Sequence, residues 1–296
     1  MLPSTSSDPV SYTARIVAAK RALEQSHPNP LFKDPYAVLL AGDEVTNLLA
    51  KWREVARRQD RPLKDVIAKR TRYIAVRTCF FDDLLGSALR EPGLSQVVIL
   101  GSGLDTRAFR FDWPLLTRVY EVDHPEVLNY KVRVLQNSVP ACQHFLIPGD
   151  LADLQAEWVK GLLEQGFQAQ SPTVWLLEGL LMYLPEPSAH ALLKTLSELS
   201  SAGSVLGLDS VTGGSVAAAQ SARKNDRGRV VRHWEFGCDD PKELLASYGW
   251  SAEVSQPQEV GKAHGRYPQS IPIEAEVGGH QDERGVWLVH ARKTQA

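Results

Sequence analysis

The chain is short of sulfur: two methionines and three cysteines in 296 residues. Cys79, Cys142 and Cys238 stand far apart, so they make neither a C-x-x-C metal motif nor a disulfide framework. That pattern predicts buried or half-buried thiols in a reducing compartment. Charge bias is missing too. With 33 basic and 35 acidic residues the net charge is −2, which gives no electrostatic case for nucleic acid or a membrane surface as partner. No apolar run approaches the roughly 20 residues a membrane-spanning helix needs. The opening "MLPSTSSDPVSY" lacks a basic n-region and an apolar h-region, so no signal peptide is expected and the predicted location is cytoplasmic. Internal repeats, low-complexity tracts and metal-ligand spacings are also lacking. What is there is a 43% hydrophobic, 23% charged composition, that of a globular protein with one large core, or a core with a cap.

The first 90 residues read as helical. "SYTARIVAAKRALEQS" carries a helix pattern that ends before "HPNPLFKDP", where prolines force an extended path. Asp34-Pro35 reads as an N-cap followed by proline at the first helical position. Residues 62–85 form the longest predicted helix. Beyond residue 90 apolar strands alternate with helices. The expected strands are 96–100, 118–123, 144–150, 173–179, 204–210, about 250–256 and 286–293, and the helices include "ADLQAEWVKGLLEQ" and "PSAHALLKTLSELS". This predicts a mostly parallel sheet covered on both faces. The last two strands have no predicted helix between them, so the final strand is expected to run antiparallel. The implied organisation is a helical cap over 1–90 and an α/β core over 91–296.

Ligands of such sheets bind outside the carboxyl ends of the strands. Those ends are Gly101–Asp105, Glu121–Asp123, Gly149-Asp150 and Glu178-Gly179, each an acid or a glycine followed closely by one. "VVILGSGLDTRAFRFDWPLLTRVYEVDHPEV", from Val97 to Val127, opens like a dinucleotide-binding unit, with Gly101-Ser102-Gly103 after an apolar strand and acids about 20 residues on. The third glycine is absent, however, and Asp105 would repel a pyrophosphate; Arg107 and Arg110 could compensate, but both also read as helix-surface residues. An acidic edge suits a ligand with cationic and hydroxyl groups. S-adenosylmethionine is such a ligand: it has no phosphate, and carries a sulfonium, an ammonium, a ribose diol, an adenine and one carboxylate. For that carboxylate, Arg70 and Arg77 both fall on the apolar stripe of the long helix (Ile67, Tyr73, Ile74, Phe80, Phe81, Leu84). Each either snorkels to water or clamps the carboxylate, and spacing alone does not choose between them.

Six segments in register, "LFKDPYA", "YIAVRTCFFDDLL", "VVILGSGLDTRAFR", "VYEVDHP", "GDLAD" and "LLEGLLMYL", resemble the leucine carboxyl methyltransferase family of class I S-adenosylmethionine-dependent methyltransferases, in its bacterial branch. The resemblance runs over about Arg15 to Tyr183, with weaker agreement in "GCDDPKELLASYGW". It implies a Rossmann-like class I methyltransferase fold, a seven-stranded mostly parallel sheet with helices on both faces and an N-terminal helical cap. It implies S-adenosylmethionine as methyl donor, S-adenosylhomocysteine as product and a small-molecule acceptor. It implies a donor-site role for Lys33, and the carboxylate clamp for Arg77 rather than Arg70. Gly101 and Gly103 fall in the glycine turn beneath the donor, and Asp123 on its ribose, leaving Glu121 as a strand residue. Asp150 and Leu151 fall on the adenine and Glu178 near the methionine end.

The acceptor region is expected at about 211–238 together with 10–60. Arg223, Arg227, Arg229, Arg232 and His233 make its first part basic, through solvated loop charges or a carboxylate-bearing acceptor. A carboxylate is already a nucleophile, whereas a hydroxyl usually wants a base within hydrogen-bond reach; among His124, His233 and His264 no spacing singles one out. Methyl ester formation is therefore favoured over ether formation. The alternatives are a protein C-terminal carboxylate as acceptor, an NAD-binding oxidoreductase, and a non-catalytic donor-binding protein.

Overall fold

The computed structural model describes residues 9–225, 233–267 and 285–294. The polypeptide forms two compact units whose segments interleave along the chain. One comprises the described residues up to Cys79 with Gly103–Asp112 and Pro125–Ala141; the other comprises Phe80–Ser102, Trp113–His124 and the described residues from Cys142 on.

The chain begins with four helices, α1 (Pro9–Glu24), α2 (Ala37–Ala41), α3 (Glu44–Arg58) and α4 (Leu63–Ala88). In the first unit Ala18, Ala19 and Leu23 of α1 pack with Leu40, Ala41, Leu48, Trp52 and Val66. Asp34 receives the Tyr36 and Ala37 amides on Oδ1 (3.3 and 3.0 Å) and the Arg21 guanidinium on Oδ2 (2.9 Å). It accepts amides as an N-cap would, but the expected cap is corrected: the helix begins at Ala37 with Tyr36 at the cap position, two residues later than Pro35 suggested.

The strands are β1 (Gln96–Leu100), β2 (Arg118–Asp123), β3 (Gln143–Pro148), β4 (Thr173–Leu177), β5 (Val205–Val211), β6 (Trp250–Ser255) and β7 (Val286–Lys293). Between them lie α5 (Arg107–Arg110), α6 (Pro125–Val134), α7 (Trp158–Glu164), a 3-10 turn (Leu181–Tyr183), α8 (Glu186–Leu199), α9 (Gly213–Asn225), α10 (Pro241–Ala246) and α11 (Pro257–Ala263). The seven strands form one sheet in the order β3-β2-β1-β4-β5-β7-β6. β1 to β5 run parallel, and β7 is antiparallel to both its neighbours, as expected.

Successive side chains on a strand face opposite sides of the sheet. On one side Val98, Leu100, Tyr120, Val122 and Ile147 pack against Trp158 and Leu162 of α7 and against Ala189, Leu192, Leu193 and Leu196 of α8. The α8 set has the i, i+3, i+4, i+7 spacing of one helix face. On the other side, a Cβ at Gly207 would lie 2.9 to 3.1 Å from Leu84, Leu176 and Phe81, so the end of α4 presses on β5 there. Helices therefore cover both faces.

Two helical expectations are corrected. "ADLQAEWVKGLLEQ" becomes helix only at Trp158, because Asp150 takes the Ala152 amide (2.8 Å) and Asp153 takes those of Gln155 and Glu157 (3.0 and 3.3 Å). Such side-chain turns compete with helix. Conversely, α11 lies between β6 and β7, where no helix was expected. It is started by a capping box of Gln256 and Glu259 with Pro257 at the first position. Among the described residues no helix is long and apolar enough to cross a membrane.

Candidate active site

In the second unit four adjacent strands, β3-β2-β1-β4, end side by side. β1 gives way to Gly101 at φ +62°, a left-handed conformation that glycine adopts without strain. A Cβ there would also come 2.9 Å from Leu180 Cδ1. The Gly101 and Ser102 amides both donate to the Val122 carbonyl (2.9 and 3.2 Å). A pyrophosphate cradle needs such amides aimed at the phosphate oxygens. Here two of them, those of Gly101 and Ser102, are committed to β2, while the glycine turn still lets a ligand approach the backbone closely.

Next to it, Asp123 closes β2, 7% exposed, with Oδ1 accepting the His124 amide (2.7 Å). Asp150 follows β3 and is solvent-exposed; the imidazole of His124 stands 3.9 Å from its carboxylate. Leu151 beside it is buried. Glu178 follows β4 and is half-buried. The edge thus carries three carboxylates on neighbouring strand ends, two of them in reach of solvent. As a set of hydrogen-bond acceptors it fits a ligand that presents hydroxyl, amino and ammonium donors, which is the chemistry of S-adenosylmethionine. Glu121 is fully buried and 3.0 Å from His144 Nε2, so it serves the sheet interior. Burial, with Glu121 adding to the effect, pushes the Cys142 thiol up to about 12, so it stays protonated.

In the first unit Lys33 is exposed, immediately before Asp34. Arg77 is 8% exposed with its guanidinium 5.6 Å from the Tyr73 ring centroid, whereas Arg70 is only half-buried. Gly103 stands at φ +51°. Arg107 and Arg110 correct the expectation of helix-surface residues. Arg107 is 2% exposed and forms an ion pair with Asp105. Asp105 also accepts the Arg107 amide (2.6 Å). Arg110 keeps a side chain 6% exposed beside Asp34. Burial opposes ionisation of Asp105, but the charges of Arg107 and Lys131, the Arg107 amide and Arg110 together hold it well below the usual carboxylate range. Its charge is neutralised within the protein.

Two features escaped the sequence reading. The first is "HWEFGC". Glu235 donates its amide to the Met182 carbonyl (2.8 Å) and Cys238 to Val211 (2.7 Å), while Gln220 of α9 donates to the Trp234 carbonyl (3.2 Å). Buried Trp234 and Phe236 thereby lie along the chain that follows β4, and their alternation with polar residues was a readable strand-like signal. Of the predicted arginines, Arg227, Arg229 and Arg232 lie outside the described residues, as does the Arg223 side chain; His233 is half-buried. The second is Asp209, a fully buried acid near the end of β5 whose Oδ1 accepts the Gly179 amide at 2.5 Å.

The leucine carboxyl methyltransferase family model matches residues 14–197. A Frankia alni protein named as an S-adenosyl-L-methionine-dependent methyltransferase is 38% identical over 289 residues, 95% of this chain and 94% of its own. A Mycobacterium tuberculosis protein with the same description is 36% identical over 284 residues, covering 90% and 88%. Among solved structures, a DUF574-family protein from Streptomyces avermitilis superposes with a TM-score of 0.57 at 15% identity, covering 95% of this chain and 97% of its own. A Thermobifida fusca protein described as a methyltransferase gives 0.52 at 20% identity, covering 95% and 94%. At such identities these two share the fold.

Proposed function

The chain belongs to the leucine carboxyl methyltransferase family, and on that premise we propose that it is an S-adenosylmethionine-dependent O-methyltransferase that esterifies a small-molecule carboxylate. The single observation that carries the donor reading is the strand-end edge of the second unit. Its carboxylates accept hydrogen bonds, and its glycine turn has two amides bonded to Val122 rather than free for phosphate. That same observation disfavours the NAD-binding alternative.

The bound donor supplies a sulfonium methyl group activated toward nucleophiles. Asp123 accepts the ribose hydroxyls, Asp150 accepts from the adenine amino group with Leu151 as an apolar contact, and Glu178 accepts at the methionine end. Gly101 lets the backbone approach closely. Arg77, with the fork geometry that suits a carboxylate, clamps the methionine carboxylate, and Lys33 and Gly103 take the donor-site roles the family resemblance implies. The rate acceleration then comes mainly from orienting two reactants. A carboxylate acceptor needs no base, in keeping with the absence of a marked histidine. The segment 233–238, held against Met182 and Val211, is the proposed acceptor wall.

The test has two arms. Calorimetric titration with S-adenosylhomocysteine and with NADH is expected to show binding of the first alone. Protein, methyl-labelled donor and a metabolite extract are then incubated and the product treated with mild alkali. Methyl esters release volatile labelled methanol, whereas ethers keep the label. A base-stable product would overturn the carboxylate assignment and turn attention to His233 and His124 as bases. Binding without turnover of any acceptor would favour a non-catalytic donor-binding protein.

A further inference from the structure

The β4–β5 ladder stops one residue before the site. Its last pair is Leu177↔Leu208, yet β5 continues through Asp209, Ser210 and Val211, still paired to Leu288, Trp287 and Val286 of β7. At Glu178 the chain leaves the sheet, and Gly179 takes φ +69° before the 3-10 turn at Leu181–Tyr183. The amide of Gly179 is bonded instead by the Asp209 side chain, Oδ1 to N at 2.5 Å, with Asp209 0% exposed. Up to Asp209 β5 is apolar, Val205-Leu206-Gly207-Leu208. A carboxylate in such a strand costs stability unless it is hydrogen-bonded, and a hydrogen bond to an ionised acceptor is stronger than the neutral ladder bond it replaces.

We propose that Asp209 is a positioning residue of the donor site: its buried carboxylate pins the Glu178–Gly179 turn off the end of β4 and so fixes where the Glu178 carboxylate stands. The inference rests on the reading of Glu178 as a donor-binding acid. Asp209 acts through that turn and touches no substrate. Its role therefore differs from that of Asp123 and Asp150, which the donor reading places against the donor itself.

The test is a double-mutant cycle read as S-adenosylhomocysteine affinity, with the unsubstituted protein titrated first. Asp209→Ala removes the acceptor and is expected to weaken binding by about tenfold or more. Asp209→Asn keeps an oxygen for the Gly179 amide and is expected to restore affinity to within about threefold of the unsubstituted protein. In a Glu178→Gln background Asp209→Ala should cost no more than about threefold further, because the two residues act as one unit. Equal losses in both backgrounds, or no rescue by Asn, would overturn the proposal and make Asp209 a general support of β5. Should Asp209→Ala not fold, the Gly179 amide proton of the unsubstituted protein decides. A downfield, slowly exchanging resonance is expected, and fast exchange overturns the pin. No binding of S-adenosylhomocysteine by the unsubstituted protein would sink the donor reading instead, and the same amide measurement still judges the turn.

Discussion

Asp105 stands in the turn after β1, where a free acid would repel anionic ligands, but its partners decide its effect. Arg107, itself 2% exposed, neutralises it, and Lys131 and Arg110 reinforce the arrangement. Because the folded protein holds this carboxyl below its ordinary value of 3.8, ionised Asp105 contributes stability that is fully present above that pH. The contribution is lost progressively as pH falls from there toward the depressed folded value. Arg107→Met strands a buried charge and is expected to cost about 3–5 kcal/mol at pH 7. Burial then raises the Asp105 pKa, only partly offset by Lys131 and Arg110, so the deficit should shrink as pH drops. Urea unfolding at pH 7 and pH 5 checks this; an identical deficit at both would assign the loss to packing instead. On the proposed donor reading, Asp123 is the acceptor for the ribose hydroxyls. Asp123→Ala is expected to leave a folded protein that binds S-adenosylhomocysteine about 1.5–3 kcal/mol more weakly by calorimetry, since a charged acceptor for two hydroxyls is gone. Both acids were visible in the sequence as strand-end residues. That Asp105 faces an arginine was not, because that depends on how deeply Arg107 is buried.

Among the elements, the strands were the most legible. Each is a short apolar run, and the expected and observed limits of β1 and β2 coincide. Helix starts were less so, because Asp150 and Asp153 take backbone amides that a periodicity count assigns to a helix. The missed α11 carried its own signal, glutamine, proline and, three residues after the glutamine, glutamate, but at seven residues it offers too few turns for periodicity to register. The contact of α4 with β5 was likewise hidden. Gly207 looks like a weak point in a strand, yet Leu84, Leu176 and Phe81 occupy the space of its missing side chain. Gly207→Val overpacks this contact and is expected to destabilise by about 1–3 kcal/mol. The measurement is the denaturant midpoint at unchanged slope. An unshifted midpoint would mean that α4 gives way without cost.

For the molecule as a whole, the family, the fold and the acids at the strand ends could be read from local patterns, because each of those patterns lies within one element or the turn beside it. What could not be read joins distant segments. The Asp209–Gly179 bond spans 30 residues, and the segment 233–238 is held by amides of 235 and 238 reaching carbonyls of 182 and 211. The interleaving of two compact units along one chain is of the same kind. So is the placing of β7 between β5 and β6. Among the described residues β6 has β7 as its sole strand partner in the sheet, and β7 is the latest of the seven in chain order. Without β7, the outer side of β5 and the inner side of β6 would be unpaired strand edges, and such edges are templates for association with other chains. One strand, residues 286–293, closes both edges, so the pairing of β5 and of β6 depends on the same eight residues.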